Sequence, residues 1–269
     1  MDKAVATEQT VTRRRETERQ LADVRALRQL LADQLAPIRD LDTRIARRLG
    51  EPVNVEGARE RIALGRVAFD PRVVIACAGD LVGFFVEATA ALEDAGLISN
   101  EAAAGARRQS QSVYLLLGSW VSGELRFHDE ITAVSRYAAS LVGRAVLRQA
   151  SMAVRRSTGM LPWDHAFCPC CGGAPDLAFV TRKDARALVC VRCDTLWSGA
   201  PRGCLGCGAT GAPSIARIPT GELGYTIFVC NACSRYIKEG PEASPDMLLV
   251  ERTILVPVDA AAKRRGLRF

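Results

Sequence analysis

The stretch Cys168–Cys207 reads CPCCGGAPDLAFVTRKDARALVCVRCDTLWSGAPRGCLGC and contains three Cys-x-x-Cys pairs, and a fourth pair follows in CNAC at 230–233. Nine of the ten cysteines lie between 168 and 233, and the tenth is Cys77. In a reducing compartment, clustered cysteines indicate metal or redox chemistry more often than disulfides. The four pairs therefore decide how this part of the chain folds.

A Cys-x-x-Cys turn places two sulfurs on one side of a tight loop. Gly172 and Gly208 each follow a pair and permit the positive φ that closes such a turn. Two facing turns give a tetrahedral all-sulfur site, which suits Zn²⁺ or a rubredoxin-like iron. Short connections favour sequential pairing of the turns, although interleaved pairing stays open. The predicted metal ligands are Cys168, Cys171, Cys190 and Cys193 in one site, and Cys204, Cys207, Cys230 and Cys233 in the other.

Two cysteines fall outside this pattern. Cys170 adjoins Cys171, and the x-x spacing favours Cys171 as the ligand. Cys170 is then either an exposed, oxidisable thiol beside a metal site or simply a tolerated small residue. Cys77, in VVIACAG, is predicted to be a buried core residue.

Upstream of residue 160 the sequence has helical periodicity. Apolar residues recur at helical spacing between Thr12 and Arg48, where Pro37 is expected to end or kink the helix. Further helices are predicted over 71–95, 99–122 and 127–158. We therefore expect an all-α N-terminal domain of about five helices over residues 1–160.

Beyond the linker-like LPWDHAF at 161–167, short β-like runs flank the cysteine pairs. They predict a first rubredoxin-like module over 161–202 and a second over 203–269. In the second, TILVPV is interpreted as a C-terminal strand and DAAAKRRG as a short helix that Asp259 caps and Gly266 ends. Modules of this size bury too little apolar surface to be stable alone and need a cross-link such as a bound metal ion. The predicted fold class is α+β multidomain, an all-α domain followed by two small rubredoxin-like or zinc-ribbon β modules with four-cysteine metal sites.

The charge of the chain is modest and evenly spread. The net charge of the 269 residues is +6, with 23 basic and 20 acidic residues over 1–160 against 13 and 10 over 161–269. This balance argues against nucleic acid as the main partner. The N-terminus lacks the apolar stretch of a signal peptide, and no apolar run is long enough to span a bilayer. We therefore expect a cytoplasmic protein without direct membrane insertion, and the oligomeric state stays open.

The order of the cysteine motifs resembles the FdhE family, the formate dehydrogenase accessory proteins. The segments that carry the resemblance are CPCCG at 168–172, CVRCDTLW at 190–197, CLGCG at 204–208 and CNACSRYIK at 230–238. The closing DAAAKRRGLRF is a looser match, and the resemblance over 1–160 is one of architecture alone.

The resemblance implies a cytoplasmic maturation factor that is not itself an enzyme. Such a protein binds the catalytic, molybdenum-dependent subunit of respiratory formate dehydrogenase before export. The family carries iron in its four-cysteine sites, and the resemblance also implies a redox role toward the client. Two alternatives come from the residues themselves: a zinc-ribbon protein that binds nucleic acid, and a rubredoxin-like electron carrier.

Overall fold

The computed structural model describes residues 22–50, 53–123, 130–159, 163–180, 186–198, 203–211, 213–241 and 243–268. The α-helices in these ranges are α1 (22–34), α2 (Ala36–Arg48), α3 (Val55–Ala63), α4 (Pro71–Ala76), α5 (Leu81–Asp94), α6 (Asn100–Arg108), α7 (Val113–Ser122), α8 (Glu130–Thr158), α9 (Leu248–Ile254) and α10 (Val256–Arg264). The strands are β1 (Pro175–Val180), β2 (Arg186–Cys190), β3 (Leu196–Ser198), β4 (Ile215–Pro219), β5 (Thr226–Cys230) and β6 (Tyr236–Pro241). The fold is thus α+β, as the sequence predicts.

The N-terminal helices are more numerous and shorter than the sequence predicts. Helix α1 ends at residue 34 and α2 begins with Pro37 in its first turn, so the expected break at Pro37 is confirmed. The single helix expected over 71–95 is wrong, because Gly79 takes a left-handed φ of 79° and the Asp80 carboxylate caps α5. The helix expected over 99–122 is interrupted by a short 3₁₀ turn at Ser110–Ser112. The part of the Thr12–Arg48 prediction before residue 22 lies outside the described residues.

Helix α8 is the centre of the helical region. It packs against every helix from α2 to α7. Its small buried residues, among them Ala138, Ala145 and Ala150, let neighbouring helices approach closely. Gly143 faces the side chains of Leu117 and Trp120, where a Cβ atom would lie only 2.8 Å from Leu117 Cδ2. Small residues therefore allow the neighbouring helices to pack closely around α8.

The six strands form one continuous sheet in the order β3-β2-β1-β6-β5-β4. Strands β1 to β3 make the first antiparallel ribbon, and β4 to β6 make the second. Strand β1 joins the two ribbons by pairing in parallel with β6, with Leu177 opposite Lys238 and Val180 opposite Pro241. One sheet therefore runs through both predicted modules. The boundaries expected at 160/161 and 202/203 stay predictions.

The helical region and the first ribbon share a hydrophobic core. One cluster of buried residues includes Leu41 of α2, Phe85 of α5 and Val146 of α8 together with Cys168 and Leu188 of the ribbon. The described part of the linker-like segment, 163–167, is also packed: Trp163 is buried, and its indole N–H donates to the carbonyl of Phe167 at 2.6 Å. The first ribbon is therefore held against the helices.

The C-terminal tail is helical, and the prediction of a strand over TILVPV is wrong. Helices α9 and α10 cover this stretch, with Leu255 between them. Leu248, Glu251 and Ile254 are buried at helical spacing, which a short apolar run does not reveal because strands and buried helices look alike at this length. Helix α10 begins before Asp259, so Asp259 lies in its first turn and does not cap it. Gly266 follows the helix with a φ of 73°.

None of the helices in the described ranges combines the length and the apolar character that a bilayer span requires.

Candidate metal centre

Four turns of the same backbone form present the cysteines. In the first turn, the N–H of Cys168 donates to the carbonyl of Gly173 at 2.9 Å, and the N–H of Gly172 donates to the carbonyl of Cys168 at 3.0 Å. The same two bonds, from the first residue to the sixth and from the fifth back to the first, recur in the turns that begin at Cys190, Cys204 and Cys230. The Cys-x-x-Cys spacing therefore dictates a repeated local structure.

The fifth residue of each turn adopts a left-handed conformation. Gly172 and Gly208 do so with φ of 72° and 75°, as the sequence predicts. The other two turns place Asp194 and Ser234 there, with φ of 56° and 58°. This conformation costs a residue with a Cβ roughly 1–2 kcal/mol. Contacts elsewhere must hold Asp194 and Ser234 in place.

The first pair of turns brings together four sulfurs, which we call the first cysteine group: Cys168, Cys171, Cys190 and Cys193. The Sγ–Sγ distances are 3.5 Å for Cys168–Cys193, 3.5 Å for Cys171–Cys190 and 3.4 Å for Cys171–Cys193. A tetrahedral zinc site with Zn–S bonds of about 2.3 Å has sulfurs roughly 3.8 Å apart. The group could therefore hold one metal ion after a small expansion.

The second cysteine group consists of Cys204, Cys207, Cys230 and Cys233. Its Sγ–Sγ distances include 3.5 Å for Cys204–Cys233 and 3.6 Å for Cys207–Cys230. The turns thus meet in sequential order. A disulfide requires an S–S distance of about 2.05 Å, and the ten cysteines, all of which lie in described ranges, are free thiols.

Backbone N–H groups point at sulfurs in both groups. The N–H of Cys170 lies 3.4 Å from Cys168 Sγ, that of Arg192 3.3 Å from Cys190 Sγ, and that of Gly206 3.3 Å from Cys204 Sγ. Such donors stabilise thiolates, the form in which cysteine binds a metal. Four converging thiols with N–H donors behind them are the donor set of a zinc or rubredoxin-type iron site. The residues present therefore fit the metal that the family resemblance implies.

Thiol ionisation is uneven within each group. Burial opposes ionisation of Cys168, but hydrogen bonds from Cys170 and Cys171 outweigh it and lower the pKa of that thiol to about 6. The same hydrogen bond to Cys168 raises the pKa of Cys171 well above its usual value. In the second group, burial again opposes ionisation, and the backbone N–H groups of Cys233 and Ala232 lower the pKa of Cys230 to about 7. Full ionisation of four neighbouring thiols requires a cation between them.

Of the two remaining cysteines, Cys170 agrees with one of its two alternatives and Cys77 differs from expectation. Cys170 is buried, with 1% of its surface exposed, so the alternative of an exposed oxidisable thiol is wrong. Its hydrogen bond to Cys168 raises the pKa of the Cys170 thiol far above its usual range. Cys77 is exposed at the end of α4, so its predicted place in the core is wrong.

Arg252 of α9 forms a largely buried clamp on the first ribbon through hydrogen bonds to three of its residues. Its guanidinium donates to the carboxylate of Asp176 at 2.7 and 3.0 Å, to Asp194 at 2.6 Å and to the carbonyl of Cys190 at 2.9 Å. Burial opposes ionisation of Asp176, but the charge of Arg252 outweighs it and holds the pKa of that carboxyl below its usual value. These contacts explain how Asp194 keeps its left-handed conformation. Sequence reasoning missed this clamp, whose one signal was an aspartate where the turns at Cys168 and Cys204 have glycine.

The second ribbon is fastened by the C-terminal tail. The backbone N–H of Arg268 donates to the carbonyl of Ser234 at 3.0 Å, and its guanidinium donates to the carbonyl of Cys233 at 3.3 Å. Lys238 of β6 is buried and donates to both carboxylate oxygens of Asp259 at 2.8 Å. The Asp259 carboxylate therefore ties α10 to the sheet.

Comparison with known proteins rests on the fold. No protein-family model matches the chain, and no curated protein matches it significantly. The structure is similar to the crystal structure of the FdhE protein from Pseudomonas aeruginosa, with a TM-score of 0.62 and 16% sequence identity. The match covers 90% of this chain and 93% of that one. The chain has an FdhE-like fold.

The FdhE-like fold confirms the architecture that the motifs predicted. A helical N-terminal region precedes a sheet that carries two four-cysteine groups. At this level of identity the likeness establishes the fold and leaves activity and partners as proposals. That the eight cysteines bind metal also stays a prediction, which their geometry permits.

Proposed function

We propose that this chain is a cytoplasmic accessory protein for the maturation of formate dehydrogenase, binding the catalytic subunit of that enzyme and holding one metal ion in each cysteine group. The observation that carries the proposal is the FdhE-like fold over 90% of the chain, combined with two complete four-cysteine groups. Fold alone is a weak guide to function. The order of the cysteine motifs in the sequence is a second likeness to that family.

The proposed role is binding rather than catalysis. Four thiols around one ion close its coordination sphere, whereas catalytic metal sites keep a position open for water or substrate. A bound ion would cross-link the two turns of each ribbon, and iron would add a one-electron couple. The protein itself supplies the hydrogen bonds to the sulfurs and the Arg252 clamp that orient the first group. These features support a rigid scaffold.

The nucleic-acid alternative receives less support from the second ribbon. Zinc ribbons that bind single strands offer exposed aromatic faces on which bases stack. Phe228 of β5 already contacts the guanidinium groups of Arg186 and Arg217, whose Cζ atoms lie 5.4 and 5.2 Å from the ring centroid. Its ring is engaged within the sheet. We therefore favour a protein partner.

The test is an affinity pull-down from cells that produce formate dehydrogenase, under anaerobic conditions, with metal analysis of the same sample. We expect the tagged chain to recover the large catalytic subunit and to contain two equivalents of metal. The control is the same bait in cells that lack formate dehydrogenase. Failure to recover the subunit would contradict the proposed partner, whereas a folded metal-free protein would contradict the metal sites.

A second measurement addresses catalysis. The purified, metal-loaded chain should show no formate oxidation with an artificial electron acceptor. Formate-dependent reduction of the acceptor by the pure chain would overturn the assignment as an accessory protein.

A further inference from the structure

The two cysteine groups have the same turns but different exposure. The four sulfur-bearing residues of the first group are all buried, with exposed fractions between 0% and 3%. In the second group Cys207 is exposed and Cys233 is half-buried. Solvent and other molecules can therefore reach one side of the second group.

The first group is covered on several sides by other parts of the chain. The backbone N–H groups of Ala68 and Phe69 donate to the carbonyls of Pro169 and Cys170, so the α3–α4 connection lies across the first turn. The Ser151 hydroxyl of α8 donates to the carbonyl of Cys193 at 3.2 Å. Opening this group therefore requires contacts with the helices to break.

A cavity of about 220 Å³ approaches the first group but ends before its sulfurs. It lies between α8 and β3, and its walls include Arg155, Thr195, Trp197 and Cys170. The four cysteines of the first group are absent from this lining. The wall residues nearest to these cysteines in the chain are Pro169, Cys170 and Thr195.

The second group lies on the far ribbon of the sheet. Its second turn is bonded to the exposed Arg268 of the C-terminal tail and to the carbonyls of Pro213 and Ser214, which accept from Asn231. The side chain of Arg235 packs beside Gly206 in the other turn of the group. Two cations thus stand beside a group that would carry net negative charge with a divalent ion bound. They would also attract an anionic donor approaching from solvent.

Exposure has a definite chemical consequence for a four-thiolate site. If the second group holds a metal ion, an entering donor would bond to that ion as the Cys207 thiolate leaves it. The proton that the entering donor loses is then taken up by the released Cys207 thiolate, so charge and atoms balance. The same exchange at the first group needs prior opening of the core, because no sulfur there is reachable.

We infer that the second cysteine group is an exchangeable metal site, where thiol or chelator donors enter through Cys207, and that the first group holds its ion as a closed structural clip. This inference rests on the metal binding proposed above but not on the proposed partner. It assigns different roles to two groups whose sequence motifs look alike.

The test is metal release from the full chain loaded with two equivalents of Zn²⁺. An excess of a chromogenic chelator is added, and release is followed by absorbance. We expect two phases of one equivalent each, with the fast phase roughly tenfold or more ahead of the slow one. Equal rates for both ions would overturn the inference. A chain that takes up no Zn²⁺ would overturn both the inference and the proposed metal binding, so the two failures are distinguishable.

Alkylation identifies which group empties first. N-ethylmaleimide is added at the end of the fast phase, and the modified peptides are identified by mass spectrometry. We expect modification of Cys207 and Cys233, while Cys168 and Cys171 stay protected. Modification of the first group during the fast phase would contradict the assignment.

A matched variant gives an independent check. Cys207→Ser should remove the fast phase and leave one slowly released ion in a folded protein. Its counterpart at the equivalent position of the first group, Cys171→Ser, should lose the slow phase. Persistence of a fast phase of one equivalent in Cys207→Ser would overturn the inference even if Cys171→Ser failed to fold.

Discussion

The two ribbons begin from the same turns and end in different surroundings. In each, two turns close on a left-handed fifth residue and bring four sulfurs together. The first ribbon is buried between the helices and α9, whereas the second leaves Cys207 exposed. Short-range sequence thus decides the turn, and tertiary contacts decide how tightly the turn is held. The predictions below test this difference, from the largest expected effect to the smallest.

The largest difference is expected for loss of a cysteine from the second turn of each ribbon. Cys193→Ser removes a buried sulfur from the shared core and should abolish cooperative folding of the sheet, because metal binding and folding are coupled there. Cys233→Ser should lose one metal equivalent and keep the melting of the helical region. Thermal melting by circular dichroism, with metal analysis, checks both variants. Equal loss of structure in the two would remove the proposed difference between the ribbons.

The next comparison is between two arginines: the largely buried Arg252, which binds the first ribbon, and the exposed Arg268, which binds the second. Arg252→Ala leaves the buried carboxylate of Asp176 without its partner, and breaking a buried ion pair in this way costs about 3–5 kcal/mol. Arg268→Ala removes an exposed side chain from the Cys233 carbonyl and should cost less than about 0.5 kcal/mol. Urea unfolding of the metal-loaded variants measures both. A small effect of Arg252→Ala would mean that Asp194 is held by other contacts.

Two glycines beside the cysteine groups differ in what surrounds them. A Cβ on Gly173 would lie 2.8 Å from the sulfur of Cys190, so Gly173→Ala must displace a buried sulfur and should cost about 1–3 kcal/mol. A Cβ on Gly206 would lie 2.1 Å from Arg235 Cδ, but Arg235 is exposed and its side chain can move into solvent. Gly206→Ala should therefore be nearly neutral. Unfolding free energies that rank these variants in the opposite order would contradict the packing described here.

The smallest effects are expected to have opposite signs. Ser234→Gly relieves a left-handed conformation that costs about 1–2 kcal/mol, and the added freedom of glycine in the unfolded chain offsets about half of that gain. We expect a stabilisation of roughly 0.5–1 kcal/mol. Asp194→Gly should relieve the same conformational cost but lose the ion pair with Arg252, so we expect a net destabilisation. Stabilisation of both variants would show that Asp194 contributes nothing through its side chain.

Sequence predicts the turns well because their determinants are local. The Cys-x-x-Cys spacing and glycines such as Gly172 suffice to fix a turn. The helical region was correctly assigned as a class, but its breaks at Gly79 and Ser110 depend on caps and turns that interrupt an otherwise continuous apolar pattern. The strand expected over TILVPV failed because burial of α9 against the sheet is a tertiary contact, which a six-residue apolar run does not record.

The sequence predicted which cysteines come together in the candidate site but not which residues surround them. The sequence pointed to sequential grouping of the cysteines, but the aspartate at position 194 did not indicate that α9 would supply Arg252 to the first ribbon. Nor did it distinguish a buried group from an exposed one, because the two sets of motifs are nearly identical. The two ribbons are joined where β1 pairs with β6, and the paired residues are more than 50 residues apart in the chain. Such long-range pairing is outside the reach of local pattern.

The parallel pairing of β1 with β6 also affects folding during synthesis. Strand β1 leaves the ribosome before its neighbour β6, which ends the second ribbon at Pro241. Until then, one edge of the nascent first ribbon has no strand beside it, and bare edges invite pairing with other chains. A message truncated after residue 202 would therefore yield a product prone to aggregation. The first ribbon is therefore protected from pairing with other chains only after the second ribbon has been synthesised.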